Sequence, residues 1–227
     1  MTKEIEAIRH NKVKINKQNL KLYKAKHRRF ARKMTQLEPY CRFNIDGTKT
    51  GRLTTFKHSF PILTLDKELR VVMEPQNDYY MELDYNAAEL RTLLALQGKH
   101  QPQEDIHEWN VRNIFGGTHD EAKKRIFAWL YNPESKDLLC EQFYDRGAIL
   151  KKHYKDGKVM TFFGKEIESD PRTALNYIIQ STCAENVLRQ MLKVADCLRD
   201  CKSFIAFPIH DSVVIDLALE DRGKVKD

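Results

Sequence analysis

Two aspartates in strand-like segments carry carboxylates that could bind divalent cations. Asp84 closes the segment YYMELD (79–84), and Asp211 interrupts an apolar run in SFIAFPIHDSVVID (203–216). A buried carboxylate without a partner is costly, so Asp211 is expected at a turn or beside a cation. Two carboxylates at strand ends of one sheet can share divalent cations about 3.5–4 Å apart, which serves phosphoryl transfer. Acids at turns are common, so a purely structural role stays open.

A second set of polar and aromatic side chains recurs every fourth residue of THDEAKKRIFAWLY (118–131), a predicted helix. One face of this helix carries His119, Lys123, Phe127 and Tyr131. Cations followed by aromatic rings suit a nucleotide, because phosphates bind the cations and a base lies over the rings. The alternative is an ordinary amphipathic helix whose aromatic residues belong to the core.

A third polar stripe lies on the long segment 169–198, which is also a predicted helix. Arg172, Asn176 and Gln180 follow one another at four-residue steps, opposite an apolar face. Such a stripe could follow a nucleic-acid groove, or it could be the solvated side of the helix.

Local signals indicate the elements that must position these side chains. Thr118 and Glu121 form a capping box before the first of the two helices. Asp170 followed by Pro171 marks the start of the second. The segment AAELRTLLAL (87–96) is amphipathic, and KVMTFFG (158–164) and residues 203–216 are strand-like. Because strands and helices interleave without regular βαβ spacing, we expect a mixed α/β (α+β) fold with an antiparallel hairpin.

Charge is concentrated at the beginning of the chain. Residues 1–33 hold twelve Lys and Arg against Glu4 and Glu6, a net of +10, so the remaining residues sum to −3 within a total of +7. A positive segment of this kind attracts polyanions such as nucleic acid. The alternatives are a solvated basic helix and a targeting tail. The segment 1–38 contains no Pro or Gly and is predicted to be largely helical.

Composition narrows the class of protein. With 227 residues and 41% hydrophobic content, the chain can form one large domain or two small ones. No apolar run approaches the ~20 residues of a membrane span, and the opening MTKEIEAIRHNK is unlike a secretion signal. The five cysteines show no metal-type spacing. We therefore expect a cytoplasmic protein, or one of the host cytoplasm if the source is viral, with reduced cysteines and no membrane partner.

From about Leu37 to Ile215 the sequence resembles the family A DNA polymerases of the bacterial polymerase I type. The similar segments follow the order that the family shows: TGRLTT (50–55), LDYNAAELR (83–91, motif A), DIHEWNVRNIFG (105–116), HDEAKKRIFAWLY (119–131, motif B), RTALNYIIQSTCAEN (172–186) and IHDS (209–212, motif C). The resemblance implies a right-hand polymerase architecture with an antiparallel-sheet palm, short helical fingers and a reduced helical thumb. It also implies template-directed DNA polymerase activity in replication or repair.

The resemblance assigns metal binding to the aspartates. Asp84 and Asp211 are implied to bind two Mg²⁺ ions, for which Mn²⁺ can substitute, with help from the backbone carbonyl of Tyr85. One ion lowers the pKa of the primer 3′-hydroxyl, and the other neutralises the triphosphate and the leaving pyrophosphate.

The resemblance also divides the remaining side chains between two ligands. The incoming dNTP is assigned Glu89, His107, His119, Lys123, Phe127 and Tyr131. Among these, Lys123 and His107 contact the triphosphate, while Glu89 fills the space of a ribose 2′-hydroxyl. Primer–template DNA is assigned Arg52, Arg172, Asn176, Gln180 and His210. These residues are implied to face the primer end and the minor groove, whose pattern of hydrogen-bond acceptors depends little on base sequence.

Four positions depart from the family pattern. His119 stands in place of the first arginine of motif B, Ala87 in place of a glutamine of motif A, and Asn132 in place of a glycine. Ser212 replaces the glutamate of motif C and removes a carboxylate beside the metal ligands. Because histidine titrates near neutral pH, we expect reduced or pH-sensitive activity.

The implied domains are a basic thumb-like segment (1–46), the first part of the palm (47–97), the fingers (98–165) and the second part of the palm (166–227). No segment is left for a proofreading nuclease, and an accessory or processivity subunit is a further expected partner.

Two alternative functions stay open. One is a catalytically weakened palm that acts as a primer–template-binding module, and the other is a relative of single-subunit RNA polymerases, against which Glu89 argues.

Overall fold

The computed structural model describes Ile8, residues 11–24, Phe30, Met34 and residues 36–225. The chain divides into two compact units, which we call unit 1 (Met1–Asp84 and Asn186–Asp227) and unit 2 (Tyr85–Glu185). In the part of the chain that is described, no helix has both the length and the apolar character needed to cross a bilayer.

The secondary structure mixes short antiparallel strands with helices, as the sequence predicts. The strands are β1 (Lys14–Ile15), β2 (Phe43–Asn44), β3 (Thr54–Thr55), β4 (Met73–Glu74), β5 (Tyr79–Asp84), β6 (Tyr154–Lys155), β7 (Lys158–Met160), β8 (Glu166–Glu168), β9 (Phe204–Ile209) and β10 (Ser212–Leu217). The helices are α1 (Lys17–Lys24), α2 (Ala88–Leu96), α3 (Ile106–Asn110), α4 (His119–Tyr131), α5 (Leu138–Tyr144), α6 (Arg146–His153), α7 (Pro171–Cys197) and α8 (Arg222–Val225). A π-helix (Val111–Phe115) follows α3, and 3₁₀ turns occupy Ile62–Thr64, Lys67–Val72 and Leu219–Asp221.

Unit 1 is built on the antiparallel sheet β5–β10–β9. Every residue of the central strand β10 is buried, and the apolar side chains of β9 and β10 pack with Leu188 and Met191 near the end of α7. The buried Asp216 carboxylate accepts the backbone N–H groups of Gln76 (2.6 Å) and Asn77 (2.8 Å). Because these bonds satisfy a buried charge, they fix the loop that leads into β5.

The beginning of unit 1 corrects the expectation of a largely helical segment 1–38. Lys14 and Ile15 form β1 and pair with β4, and Lys12 bridges to Tyr40. The helix α1 spans Lys17–Lys24, and much of the remaining segment lies outside the described residues. The prediction fails at β1 because its strand partners are distant in sequence and leave no trace in the local pattern.

Unit 2 has its own hydrophobic core, formed by helices α2 to α6 and the first part of α7. Its largest fully buried side chains include Trp129 of α4 and Tyr144 of α5. The strands β6, β7 and β8 form a small antiparallel sheet. The strand expected over 158–164 ends at Met160, because Thr161 starts a turn in which its carbonyl accepts the N–H of Gly164 (3.1 Å).

The two helix starts that the sequence predicts are both confirmed. Thr118 caps α4, and its side chain and that of Glu121 form the reciprocal bonds of a capping box. The Asp170 carboxylate accepts the N–H of Arg172 (2.8 Å) at the start of α7, whose first residue is Pro171.

Candidate active site

Asp84 and Asp211 lie at the same end of the unit 1 sheet. In the antiparallel register of β5 and β10, Asp84 pairs with Ser212, the residue that directly follows Asp211. His210 and Asp211 form the tight turn between β9 and β10, and His210 takes a left-handed conformation with φ 52°. The expectation that Asp211 lies at a turn is confirmed, and the turn leaves its side chain half-buried.

The donor set at this sheet end fits a magnesium ion. Asp84 is exposed, and within the described part of the chain the Asp211 carboxylate has no hydrogen-bond or ion-pair partner. Mg²⁺ prefers oxygen ligands and is often held by one or two carboxylates together with substrate phosphates and water. Over the residues that can be described, no group of three or more His, Cys, Asp or Glu could hold a metal. A substrate or a backbone carbonyl would therefore have to complete the coordination.

Ser212 brings a further carboxylate to the same sheet end. Its buried hydroxyl lies 2.8 Å from Oε1 of Glu82 and 3.0 Å from the carbonyl oxygen of Ile209. Nη1 of Arg70 lies 3.8 Å from the same Glu82 oxygen. Sequence reasoning missed Glu82, although its position two residues before Asp84 places both side chains on one face of β5.

The α4 face of unit 2 has the arrangement that the four-residue spacing predicts. The rings of Phe127 and Tyr131 are stacked, with centroids 5.9 Å apart and an interplanar angle of 10°. The ring of His107, which comes from α3, lies 5.4 Å from the ring of His119 and 5.8 Å from that of Phe127. Lys123 is exposed on the same face. Two histidines, a lysine and two aromatic rings are thus brought together.

Asp105 organises this cluster and was not singled out from the sequence. Its Oδ1 caps α3 by accepting the N–H groups of His107 (2.8 Å) and Glu108 (3.0 Å), and its Oδ2 accepts a bond from Asn86 (2.8 Å). Nε2 of His119 lies 3.3 Å from Oδ1. Partial burial tends to raise the pKa of Asp105, but the bonds from Asn86, Glu108 and His107 outweigh it and lower the pKa to about 2. Asp105 is therefore an anion at neutral pH.

His107 lies in a less favourable environment for a positive charge. Burial lowers the pKa of its ring, the Asp105 carboxylate raises it, and the nearby charges of His119 and Lys123 lower it again. The net effect is a pKa below the ordinary value of 6.5. Its buried Nδ1 has no hydrogen-bond partner within the described residues, which makes a charged ring at this position still less favourable.

The other predicted site residues occupy accessible or partly buried positions. Arg172 is exposed on α7 and lies 3.5 Å from Glu134, while Asn176 and Gln180 are half-buried. On the opposite face, Leu175, Ile178 and Ile179 are buried, as expected. The remaining predicted residues are Arg52 and His210 in unit 1, both exposed, and Tyr85 and Glu89 in unit 2, which are exposed and half-buried respectively.

Comparison with solved structures shows which known fold this chain is similar to. Solved structures that match this chain include the POL domain of Pol1 from M. smegmatis, determined in complex with a DNA primer–template and a dNTP. The similarity has a TM-score of 0.68 and covers 89% of this chain at 17% sequence identity. The chain spans 46% of the length of that structure. No established protein family and no curated protein matches the sequence.

Proposed function

We propose that this chain is a template-directed DNA polymerase that adds dNTPs to a primer 3′-hydroxyl. The observation that carries the proposal is the strand register of unit 1, which pairs Asp84 with Ser212 and so puts Asp211 at the same sheet end. Paired carboxylates of this kind suit two divalent cations. The polymerase-like fold supports the same reading.

In this proposal Asp84 and Asp211 hold two Mg²⁺ ions, with the carbonyl of Tyr85 as a further ligand. Bound ions would make the primer hydroxyl more acidic and offset the charge of the triphosphate. The primer 3′-hydroxyl would lose its proton to solvent, its oxygen would bond to the α-phosphorus of the dNTP, and the bond from that phosphorus to the leaving pyrophosphate would break. Because both carboxylates are at least partly exposed, substrate oxygens can complete the coordination.

The α4 face of unit 2 is proposed to bind the dNTP. Lys123 is an exposed cation that can contact phosphate oxygens, and His107 is proposed as a second triphosphate contact because its ring lies beside that of His119. The half-buried Phe127 and the exposed Tyr131 offer stacked rings to a sugar and a base. Glu89 is proposed to exclude ribonucleotides by occupying the space of the 2′-hydroxyl.

His119 is proposed as a weaker phosphate ligand than the arginine of the family pattern. Its two ring nitrogens already lie 3.3 Å from Asp105 and 3.4 Å from Asp120. A phosphate would have to compete with these carboxylates for the ring. Reduced dNTP affinity follows, compared with an arginine that is always charged and has five donors.

Primer–template DNA is proposed to contact the polar residues of both units, namely Arg52, Arg172, Asn176, Gln180 and His210. The basic beginning of the chain supports binding to a polyanion. The division into thumb, palm and fingers given by the sequence, and an accessory subunit, stay predictions.

Primer extension tests the proposal directly. Extension of a primed template with Mg²⁺ and dNTPs is compared for the parent and for Asp84→Asn and Asp211→Asn. Asp66→Asn serves as the control, since Asp66 is exposed in unit 1 and makes no capping bond with its side chain. We expect extension by the parent and the control only. Equal extension by all four proteins would contradict the cation assignment.

A second candidate function is a palm that binds primer–template without catalysis. It is favoured by His119, which is held between two carboxylates, and by Ser212 in place of a glutamate. Binding of primer–template that is unchanged by Mg²⁺, with no incorporation of any nucleotide, would support this candidate over the polymerase.

A further inference from the structure

We propose that Glu82 is a positioning residue of the cation site and supplies the carboxylate that Ser212 does not carry. This inference rests on the proposed function, because it concerns the same sheet end. Glu82 does not have to touch a cation for this role. It acts on the site through Ser212 and through its negative charge.

The strand geometry places Glu82 beside the aspartates. Glu82 and Asp84 are two residues apart on β5, so their side chains lie on the same face of the sheet. Ser212 pairs with Asp84 and Val214 pairs with Glu82, so Ser212 is a diagonal neighbour of Glu82 on that face. The 2.8 Å contact between the Ser212 hydroxyl and Glu82 Oε1 agrees with this register.

The hydroxyl of Ser212 connects Glu82 to the turn that presents Asp211. The hydroxyl has a single proton to donate, and two acceptors lie within reach of it: Glu82 Oε1 and the carbonyl oxygen of Ile209 (3.0 Å). The two acceptors therefore share one donor. The Ile209 contact spans the turn formed by His210 and Asp211. Glu82 thereby orients the hydroxyl that closes this turn, and the bond to an ionised acceptor is the stronger kind.

The charge of Glu82 adds to that of the aspartates. Its side chain is 43% exposed, and Arg70 offsets the charge only at a distance of 3.8 Å and on one oxygen. A negative charge on the same face of the sheet attracts a divalent cation even through solvent. In this chain the carboxylate therefore belongs to β5, whereas the family pattern has a glutamate at the position of Ser212 on β10.

The test is Mn²⁺ binding to the full chain, measured by electron paramagnetic resonance without DNA or nucleotide. Glu82→Gln keeps an oxygen that can accept the Ser212 bond but removes the charge. We expect it to weaken Mn²⁺ binding by about fivefold to tenfold, less so at high salt because exposed charges are screened. The matched control is Glu220→Gln, an exposed carboxylate of unit 1 that pairs with Lys202, and it should bind like the parent.

The reciprocal exchange separates charge from fold. Glu82→Ser alone should bind Mn²⁺ weakly, and Glu82→Ser combined with Ser212→Glu should restore affinity close to that of the parent. Circular dichroism of each variant establishes that it is folded. Affinity in Glu82→Gln equal to that of the parent would overturn the inference and leave the proposed function standing. Equal affinity in the parent, Asp84→Asn and Asp211→Asn would instead overturn the cation site itself.

Discussion

Replacing Lys123 by alanine tests the role of α4 in nucleotide binding. Lys123 is exposed and has no hydrogen-bond or ion-pair partner in the described part of the chain. Alanine is a strong helix former, so the free energy of unfolding should change by less than about 0.5 kcal/mol. A contact between a lysine and a phosphate contributes about 1.5–3 kcal/mol. At about 1.4 kcal/mol per factor of ten, KM for dNTP should rise about 10- to 150-fold.

The neighbouring Lys124 provides the matched control. It is also exposed on α4, but it lies about 100° further round the helix and so faces away from the His107 cluster. Steady-state primer extension over a range of dNTP concentrations gives KM and kcat for both alanine variants. We expect Lys124→Ala to change KM by no more than about threefold, a surface effect. Equal increases of KM in the two variants would refute the argument.

A second readout of the Lys123 variant does not depend on activity. The positive charge of Lys123 is one of the causes that lower the pKa of His107, after burial and in opposition to Asp105. Removing that charge should therefore raise the pKa of the His107 ring, whereas removing Lys124 should not. NMR titration of the histidine ring protons measures both. An unchanged His107 pKa in Lys123→Ala would mean that the lysine does not face this cluster in solution.

Three further predictions follow from the site and from unit 2. Glu89→Ala should raise incorporation of ribonucleotides relative to deoxynucleotides by about tenfold or more in competitive primer extension, and unchanged discrimination would exclude the steric role. Tyr144→Phe removes the 2.6 Å bond to buried Asn110 and should cost about 1–3 kcal/mol, measured by urea denaturation; an unchanged midpoint would contradict this. Because the folded pKa of His107 lies below 6.5, its contribution to stability is present above pH 6.5 and is lost as pH falls through the folded value. The free energy of unfolding should thus drop less between about pH 7.5 and about pH 5.5 in His107→Gln than in the parent. An identical dependence of the free energy of unfolding on pH in both proteins would contradict the conclusion that the buried His107 ring is neutral.

Local sequence signals predicted the elements that carry the site. The capping box of Thr118 and Glu121 is complete within four residues, so both ends of the interaction are visible in the sequence. Four-residue spacing likewise placed Lys123, Phe127 and Tyr131 on one face of α4, because helix geometry is fixed by the backbone. The turn at Asp211 was predictable since a charged residue interrupts two apolar strands.

Contacts that depend on long-range register were not predictable. Pairing of β1 with β4 joins residues about sixty positions apart, and no local pattern specifies such a partner. The bond between Ser212 and Glu82 requires the register of β5 against β10, which shifts every side chain if it slips by one residue. Asp105 was missed for a different reason. As an N-cap it has an ordinary structural role, and only the packing of α3 against α4 brings it to His119.

Two of these missed contacts involve Ser212 and His119, the residues of the candidate site that depart most from the family pattern. Ser212 lacks a carboxylate, and the structure puts Glu82 in contact with its hydroxyl. His119 lacks the permanent charge of an arginine, and the structure puts Asp105 within 3.3 Å of its ring. In both cases an acidic side chain from a neighbouring element faces the altered residue. At Ser212 that acid can restore charge to a cation site, whereas at His119 it competes with a phosphate. If Glu82 acts as proposed, the departure at Ser212 should leave metal affinity in unit 1 largely intact, whereas the departure at His119 should lower nucleotide affinity in unit 2.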